Sequence, residues 1–301
     1  MSAESGRWHP SGHRFAPVDD VPSASGRDGI RLVHVTSQRE LEALLARQDR
    51  EAVEPMVSQG VFRAERGTVF AAGTATVQAF GDAEVTAIDD ATVVAVGRAR
   101  VWDAGRSRIK ARETSFVEAT EAAVVEAEDW AVIEVDDHAW AFARGENHVR
   151  ARGQSIVGGE GQARISAAGS CQVDVCGRVR VTVAEDAHAV VREEATGRAI
   201  DSASISAYDN ATARASDEAH VVTYDRATAR VGDDATVVAN DDSRVTASNH
   251  VRAEAFGRAV ITVEDPSVSV TLHDAARTEG MARAISLLER VRRTPGPALS
   301  L

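Results

Sequence analysis

Aromatic residues make up only 4% of this 301-residue chain, and their scarcity is the first constraint on its interior. Most of the 44% hydrophobic content is Ala and Val, which cannot fill a thick globular core at normal packing density, so a thin core is implied. Cysteine is nearly absent. Cys171 and Cys176 fall at an inward strand position and at a turn of the same repeat unit, so an easy bridge is not expected and both are read as reduced. No apolar run approaches the roughly 18 residues of a membrane span, and Met1 is followed by polar and charged residues rather than a leader pattern. The expectation is a soluble, cytoplasmic protein with no membrane partner. Bases are outnumbered by acids, 34 to 46, and the net charge of −12 argues against a sequence-independent grip on nucleic acid. Catalytic constellations are missing too. His138, His148, His188, His220 and His250 are scattered, with no metal-ligand spacing, and no Ser/His/Asp or Cys/His arrangement is present. No catalytic residue, metal or cofactor is expected, and the protein is read as not an enzyme.

What the chain does have is an eight-residue unit repeated from Glu65 to Leu272, 26 copies read in one frame without insertion. Plain copies are GDAEVTAI (Gly81 to Ile88) and DDATVVAV (Asp89 to Val96). The third, fifth and seventh positions are apolar or small while the fourth and sixth vary, the period-two signature of a strand with one buried face. The first position is Gly, Asp, Glu or, once, Asn (Asn249), so turn chemistry recurs every octad. An in-phase repeat this short points to a coiled solenoid rather than hairpins, because each residue then stacks on its equivalent one coil away. The eighth position sets the coil length. Phe80, Val96, Arg112, Glu128, Arg144, Tyr208, Tyr224 and Phe256 belong to one alternate set of octads, whereas the other set is mostly small: Ala72, Ala104, Ala168, Ala184, Gly232. Two octads per coil follow. The predicted fold is all-β: a two-sided parallel β-solenoid of about 16 residues per coil and about 13 coils, roughly 60 Å long at the usual strand spacing.

The flanks divide the rest. Residues 1–28 are rich in Ser, Gly, Pro and His and read as a loose tail. Residues 29–64 form an N-terminal cap, with a strand at Ile30 to Val35 and a helix opened by a Ser37-x-x-Glu40 capping box and striped by Leu41, Leu44 and Leu45. Val61 is read as already in phase with the repeat. Residues 65–272 are the solenoid. Residues 273–301 read as a second cap, with a helix over Glu279 to Arg293 before a loose end. Helices at both ends would shield the open strand edges from end-to-end association.

With a 16-residue coil the outward fourth and sixth positions sort into two faces. On one, Val124, Trp140 and Ile156 occupy one position in three successive coils, with Phe142 beside Trp140. On the other, Trp102, Phe116 and Val132 lie close together, with Trp130 at a nearby turn. Contiguous apolar patches on a soluble surface mark contacts, so these residues are the candidate interface with a second copy or another protein. Val268 and Val270 are read as outward as well. The face bearing Trp102 also carries Arg164, Arg180, Arg198, Arg214 and Arg230, a like-charge ladder that needs an anionic neighbour, whether turn carboxylates or a partner. Asp201, Asp209, Asp217, Asp225, Asp233 and Asp241 open successive octads. They lack the Gly-rich turn of calcium-binding solenoid repeats, and Asx-type turns are the expectation.

In its residues the repeat, Gly/Asp-x-Ala-x-Val-x-Ala-x, resembles the octapeptide-repeat β-solenoid proteins of bacteria over about two-thirds of the chain. That resemblance implies fold and carries no functional residues. Val33 to Leu45 resembles the opening of ADP-ribosyltransferase-like folds, which need far more chain than residues 29–64 supply. The expected function is a structural or scaffold rod that binds itself or another protein through its flat faces. The alternatives are an enzyme or ligand-binding solenoid using the Arg-rich face, an acidic mimic of nucleic acid, and an ice-binding rod, whose regular Thr array is here interrupted by Arg, His and Val.

Overall fold

The computed structural model describes residues 30–48 and 51–280 in full, and the backbone alone of Arg7–Trp8, Arg14–Phe15 and Ala284–Ser286. Between its ends the chain winds as an all-β parallel solenoid of about 14 coils, about 16 residues each. Each strand pairs in parallel with the strand one coil on. Thus Thr196–Ala199 lies against Thr212–Ala215 on one sheet, and Ser204–Ala207 against His220–Thr223 on the other. The partners are sixteen positions apart, as Thr196↔Thr212 and Ser204↔His220 show.

The turns explain the composition of the first position. Its residue takes a positive φ in nine glycines and in 14 other residues of the repeat, the latter between 55° and 62°. A β-branched side chain would be strained there, whereas Gly, Asn and Asp enter this region at least cost. Its carboxylate has a second task. Gly177, Glu193, Asp209 and Asp225 each donate their backbone N–H to the side chain of Glu193, Asp209, Asp225 and Asp241 respectively, at 3.1–3.2 Å. The acidic ladder therefore caps turn amides, each coil satisfying the one before it.

Inside, third-, fifth- and seventh-position side chains of the two sheets meet in one continuous thin core of Ala, Val and Ile. Size is complementary across it. Gly197 stands where most octads have Val, and a Cβ there would lie 2.9 Å from Ile205 Cδ1 and 3.3 Å from Val191 Cγ1. Gly159 likewise makes room for Ile165, whose Cδ1 would be 2.7 Å from an added Cβ. The eighth-position alternation appears as corner stacks: Tyr208 on Tyr224 at 4.7 Å between ring centroids, and Phe256 on His273 at 4.3 Å.

The N-terminal cap forms as expected. The helix Gln38–Leu45 starts at Ser37, whose hydroxyl accepts from the Glu40 N–H at 3.3 Å, although Glu40 reaches back to the Thr36 N–H, at 2.9 Å, rather than to Ser37. Leu41 is fully buried, and Leu44 and Leu45 pack on the core. Two glutamines close the strand edge. Gln38 accepts from the Arg63 N–H and donates to the Arg63 carbonyl, both at 2.9 Å. Gln48 does the same for Thr68, at 2.8 and 3.0 Å. Each side-chain amide stands in for the peptide of a missing neighbouring strand.

Three expectations are corrected. The repeat slips by one residue at each end. Val61 pairs with Thr76, fifteen positions on, and an irregularity between Ala64 and Arg66 restores the sixteen-residue spacing, so Phe62 is buried and Val61 is 67% exposed. At the other end Asp265–Pro266 adds one residue, Arg252 pairs with Ser269, and Val268 and Val270 point inward. The helix expected over Glu279–Arg293 is strand where it is described. Arg277–Gly280 pairs with Val260–Val263, and Ala284–Ser286 with Ser269–Leu272. The unpaired edge of the last regular coil captures one more segment, DAARTEG (residues 274–280), with Asp274 again at positive φ. Residues 281–283 and 287–301 lie outside the described residues, as does the tail 1–28 except for an antiparallel pairing of Arg7–Trp8 with Arg14–Phe15.

Candidate interaction faces

Strand register places Val124, Trp140 and Ile156 in one column: Val124 pairs with Trp140, and Trp140 with Ile156. Trp140 is 55% exposed and Val124 40%. Phe142 lies over Gly158, where an added Cβ would come within 2.5 Å of the ring, so this glycine makes the seat that flattens Phe142 against the sheet. The Arg144 guanidinium covers part of the same ring from 4.9 Å, a favourable cation–π contact. Within this group the structure joins all four candidates into one patch.

The group on the opposite face is divided. Phe116 pairs with Val132 and Arg100, whereas Trp102 pairs with Glu118 and Thr86 and lies diagonally from Phe116. All three aromatic or aliphatic side chains are partly buried. Trp130 sits apart on a turn, 59% exposed, with Nε1 donating to Glu146 at 3.2 Å.

Outward charges follow a rule legible only from the coil length: a base meets an acid one coil away. Arg98 pairs with Asp82, Arg106 with Asp90, Lys110 with Glu126, Arg112 with Glu128 and Arg178 with Glu194. The Arg-bearing face obeys it at Arg100 and Arg150, which meet Glu84 and Glu134, and departs from it from Arg164 onward. Among the described residues Arg164, Arg180, Arg198, Arg214 and Arg244 make no ion pair, and Arg230 reaches only Glu264, at 3.7 Å. Arg164 pairs in register with Arg180, and Arg198 with Arg214 and then Arg230. Five of these six guanidinium groups thus lie along one face with no counter-charge in contact.

The sequence reading missed Asp103. This inward seventh-position carboxyl is 4% exposed, stands between Ala87 and Ala119, and neither of its oxygens has a hydrogen-bond partner; the hydroxyls of Ser107 and Ser115 are buried and unpartnered too. Burial pushes its pKa up to about 7, the nearby Ser107 hydroxyl lowers it in part, and the charge of Glu121 raises it further. The available signal was a charged residue breaking the small-residue pattern of the seventh position. Cys171 and Cys176 are both free thiols, as read; burial raises the pKa of each.

Among the described residues no group of three or more His, Cys, Asp or Glu is arranged to hold a metal ion. No described helix is long and apolar enough to cross a membrane. Among the concave features of the described residues are open grooves along one turn edge, lined by residues such as Asp209, Asp225, Asp241 and Arg258, a small recess beside Glu118, Glu134 and Arg150, and another between the N-terminal helix and Arg63. The fold and these surfaces define a regular two-sided parallel β-solenoid whose distinguishing features are its outward columns. No family model matches the chain, and no curated protein or solved structure matches it.

Proposed function

We propose that this protein is a rigid, non-enzymatic scaffold rod that pairs with a second copy of itself through the face bearing Trp140. The observation that carries this reading is the outward-facing Val124–Trp140–Ile156 column, exposed at Val124 and Trp140, which is self-complementary with its surroundings. Consider two rods face to face and antiparallel, related by a two-fold axis along the Trp140 strand. Trp140 and Phe142 then meet their own copies, and Val124 meets Ile156. Lys110 faces Asp174, and Val94 faces Val190. Among the fourth and sixth positions from Thr76 to Ser206 no like charges are brought opposite one another. At the corner positions Arg144 meets its own copy and Glu128 meets Glu160, each already beside an opposite charge of its own chain, Glu160 for Arg144 and Arg112 for Glu128. Lys110 and Asp174 already have partners in their own chain, Glu126 and Arg192, and the pairing sets those two clusters of opposite charge against each other.

The overlap is about nine coils, roughly 40 Å by 13 Å at standard strand dimensions. That is on the order of 500–600 Å² per copy, below the ~800 Å² of a standard interface. Affinity should therefore be modest, in the micromolar range of about −8 kcal/mol. Regularity supports a scaffold: the solenoid places every outward side chain on a fixed lattice without loops that would build a cleft. The test is Trp140→Ser with Phe142→Ser. Both side chains point outward, so the fold should persist while dimerisation weakens by about 30-fold or more, the cost of losing a central aromatic anchor. Sedimentation equilibrium showing the same dimer for native and variant protein would refute the reading.

A further inference from the structure

The solenoid carries, on the same coils, an unpaired basic face and an acidic edge without bases. The turns that follow the Arg-bearing strands display Glu185, Asp186, Asp201, Asp217, Glu218 and Asp233, all exposed. None of these pairs with an Arg or Lys among the described residues, and the adjoining Asp234 has only His250, at 3.9 Å. The opposite turn edge is different, since Glu194 and Asp242 are matched by Arg178 and Arg258. Every coil from Arg164 to Thr246 presents one Arg and one Ser or Thr outward: Arg164/Ser166, Arg180/Thr182, then Thr196/Arg198, Thr212/Arg214, Thr228/Arg230, and Arg244/Thr246. This is a continuous run of guanidinium and hydroxyl donors, one of each per coil.

We infer that this Arg face receives the acidic edge of another copy of the chain, side by side with the rod axes aligned. Axial repeat selects this partner over other polyanions. Arginines on successive coils are about 4.8 Å apart. Same-side charges of an extended peptide repeat at about 6.8 Å, and phosphates of a duplex strand at about 3.4 Å along its axis. Across four coils either would drift by about 4 to 6 Å. A second solenoid edge keeps register indefinitely, so four acidic coils lie along six basic ones with every carboxylate near a guanidinium. The net charge of −12 also favours an acidic surface as the partner that the chain itself can supply. The contact is head-to-tail: each copy offers one face and one edge, so it adds copies beyond the Trp140 pair.

This contact is independent of the proposed dimer, and the two are separable by salt. Exposed ion pairs weaken as the Debye length contracts, whereas the aromatic contact does not. Two charge reversals provide the test. One variant carries Arg198→Glu, Arg214→Glu and Arg230→Glu. The other carries Asp186→Arg, Glu218→Arg and Asp234→Arg, at second turn positions that avoid positive φ. Sedimentation velocity on native protein should show species larger than the dimer at about 0.02 M salt that vanish by about 0.5 M. Each variant alone should lose them, with association at least about tenfold weaker, since three attractions become three repulsions. Mixing the two variants should restore them, because the reversed face then meets the reversed edge. Restoration also shows that both variants are folded. Native protein with no salt-sensitive association, variants that keep it, or a mixture of folded variants that fails to regain it would each overturn the inference.

Discussion

Gly197→Val is expected to destabilise the rod by about 2–3 kcal/mol, although valine is the commonest residue at its position in the repeat. Gly197 does not have positive φ, so the backbone accepts a side chain there. The obstacle is volume. An added Cβ would sit 2.9 Å from Ile205 Cδ1 and 3.3 Å from Val191 Cγ1, and two γ-methyls would go further into the opposite sheet. In a core this thin no neighbouring layer can absorb the displacement, and the two sheets must be pushed apart locally. Ile205→Ala should repair the defect, since it removes the side chain that fills the space left by Gly197. A thermal-denaturation cycle over the two single variants and the double variant measures this. Strong favourable coupling is the expected result; additive losses would show that Gly197 is not a volume partner of Ile205.

Asp103→Ala should stabilise the protein, and by an amount that depends on pH. In the unfolded chain the carboxyl titrates near 3.9. In the fold burial and the charge of Glu121 move it up to about 7. The unfolded chain therefore loses the proton first as pH rises. The ionisation penalty of Asp103 is absent below about pH 4, grows between about pH 4 and 7 and reaches a plateau above, on top of the pH-independent cost of burying an unpartnered carboxyl. At 1.36 kcal/mol per pH unit the plateau is on the order of 4 kcal/mol. Alanine, already present at the stacked positions 87 and 119, removes the penalty. The melting temperature of the variant should exceed that of the native protein by several degrees more at pH 8 than at pH 4. A variant less stable at pH 8 would mean that Asp103 has a stabilising partner.

The solenoid was legible because its determinants are local and repeated. Alternation within Thr92–Ala95 or Thr236–Ala239 reads directly as one buried face. The alternation of large eighth-position residues reads as two octads per coil, and the Tyr208–Tyr224 stack is its physical form. The one-residue slips were not legible. Around Val268 and Val270 the sequence alternates Ser, Val, Ser and Val, so either frame offers apolar residues, and only pairing with Arg252–Ala255 decides between them. The strand at Arg277–Gly280 was hidden for a similar reason: the preceding edge makes it a strand, and that edge is not a local property. For the candidate site, the coil length was enough to align Val124, Trp140 and Ile156. It did not reveal that Phe142 rests on Gly158, or that Trp102 and Phe116 are diagonal rather than stacked, because these depend on side-chain direction across coils.

The antiparallel pairing through Trp140 places Lys110 of one copy against Asp174 of the other, while the two copies of residue 110 lie about four coils, roughly 19 Å, apart. Thiol-to-thiol crosslinking with a reagent spanning about 8–10 Å reads this arrangement directly, because opposed Cα atoms of face-to-face sheets lie about 10 Å apart, beyond disulfide reach. In a background where Cys176 is replaced by Ala and Cys171 remains buried, Lys110→Cys and Asp174→Cys chains are prepared separately, then mixed and treated with a short bis-maleimide. The expected product is a covalent dimer from the mixture alone, with neither chain linking to itself. Self-linked dimers of either chain, or no linked product at concentrations where the protein sediments as a dimer, would contradict face-to-face antiparallel association.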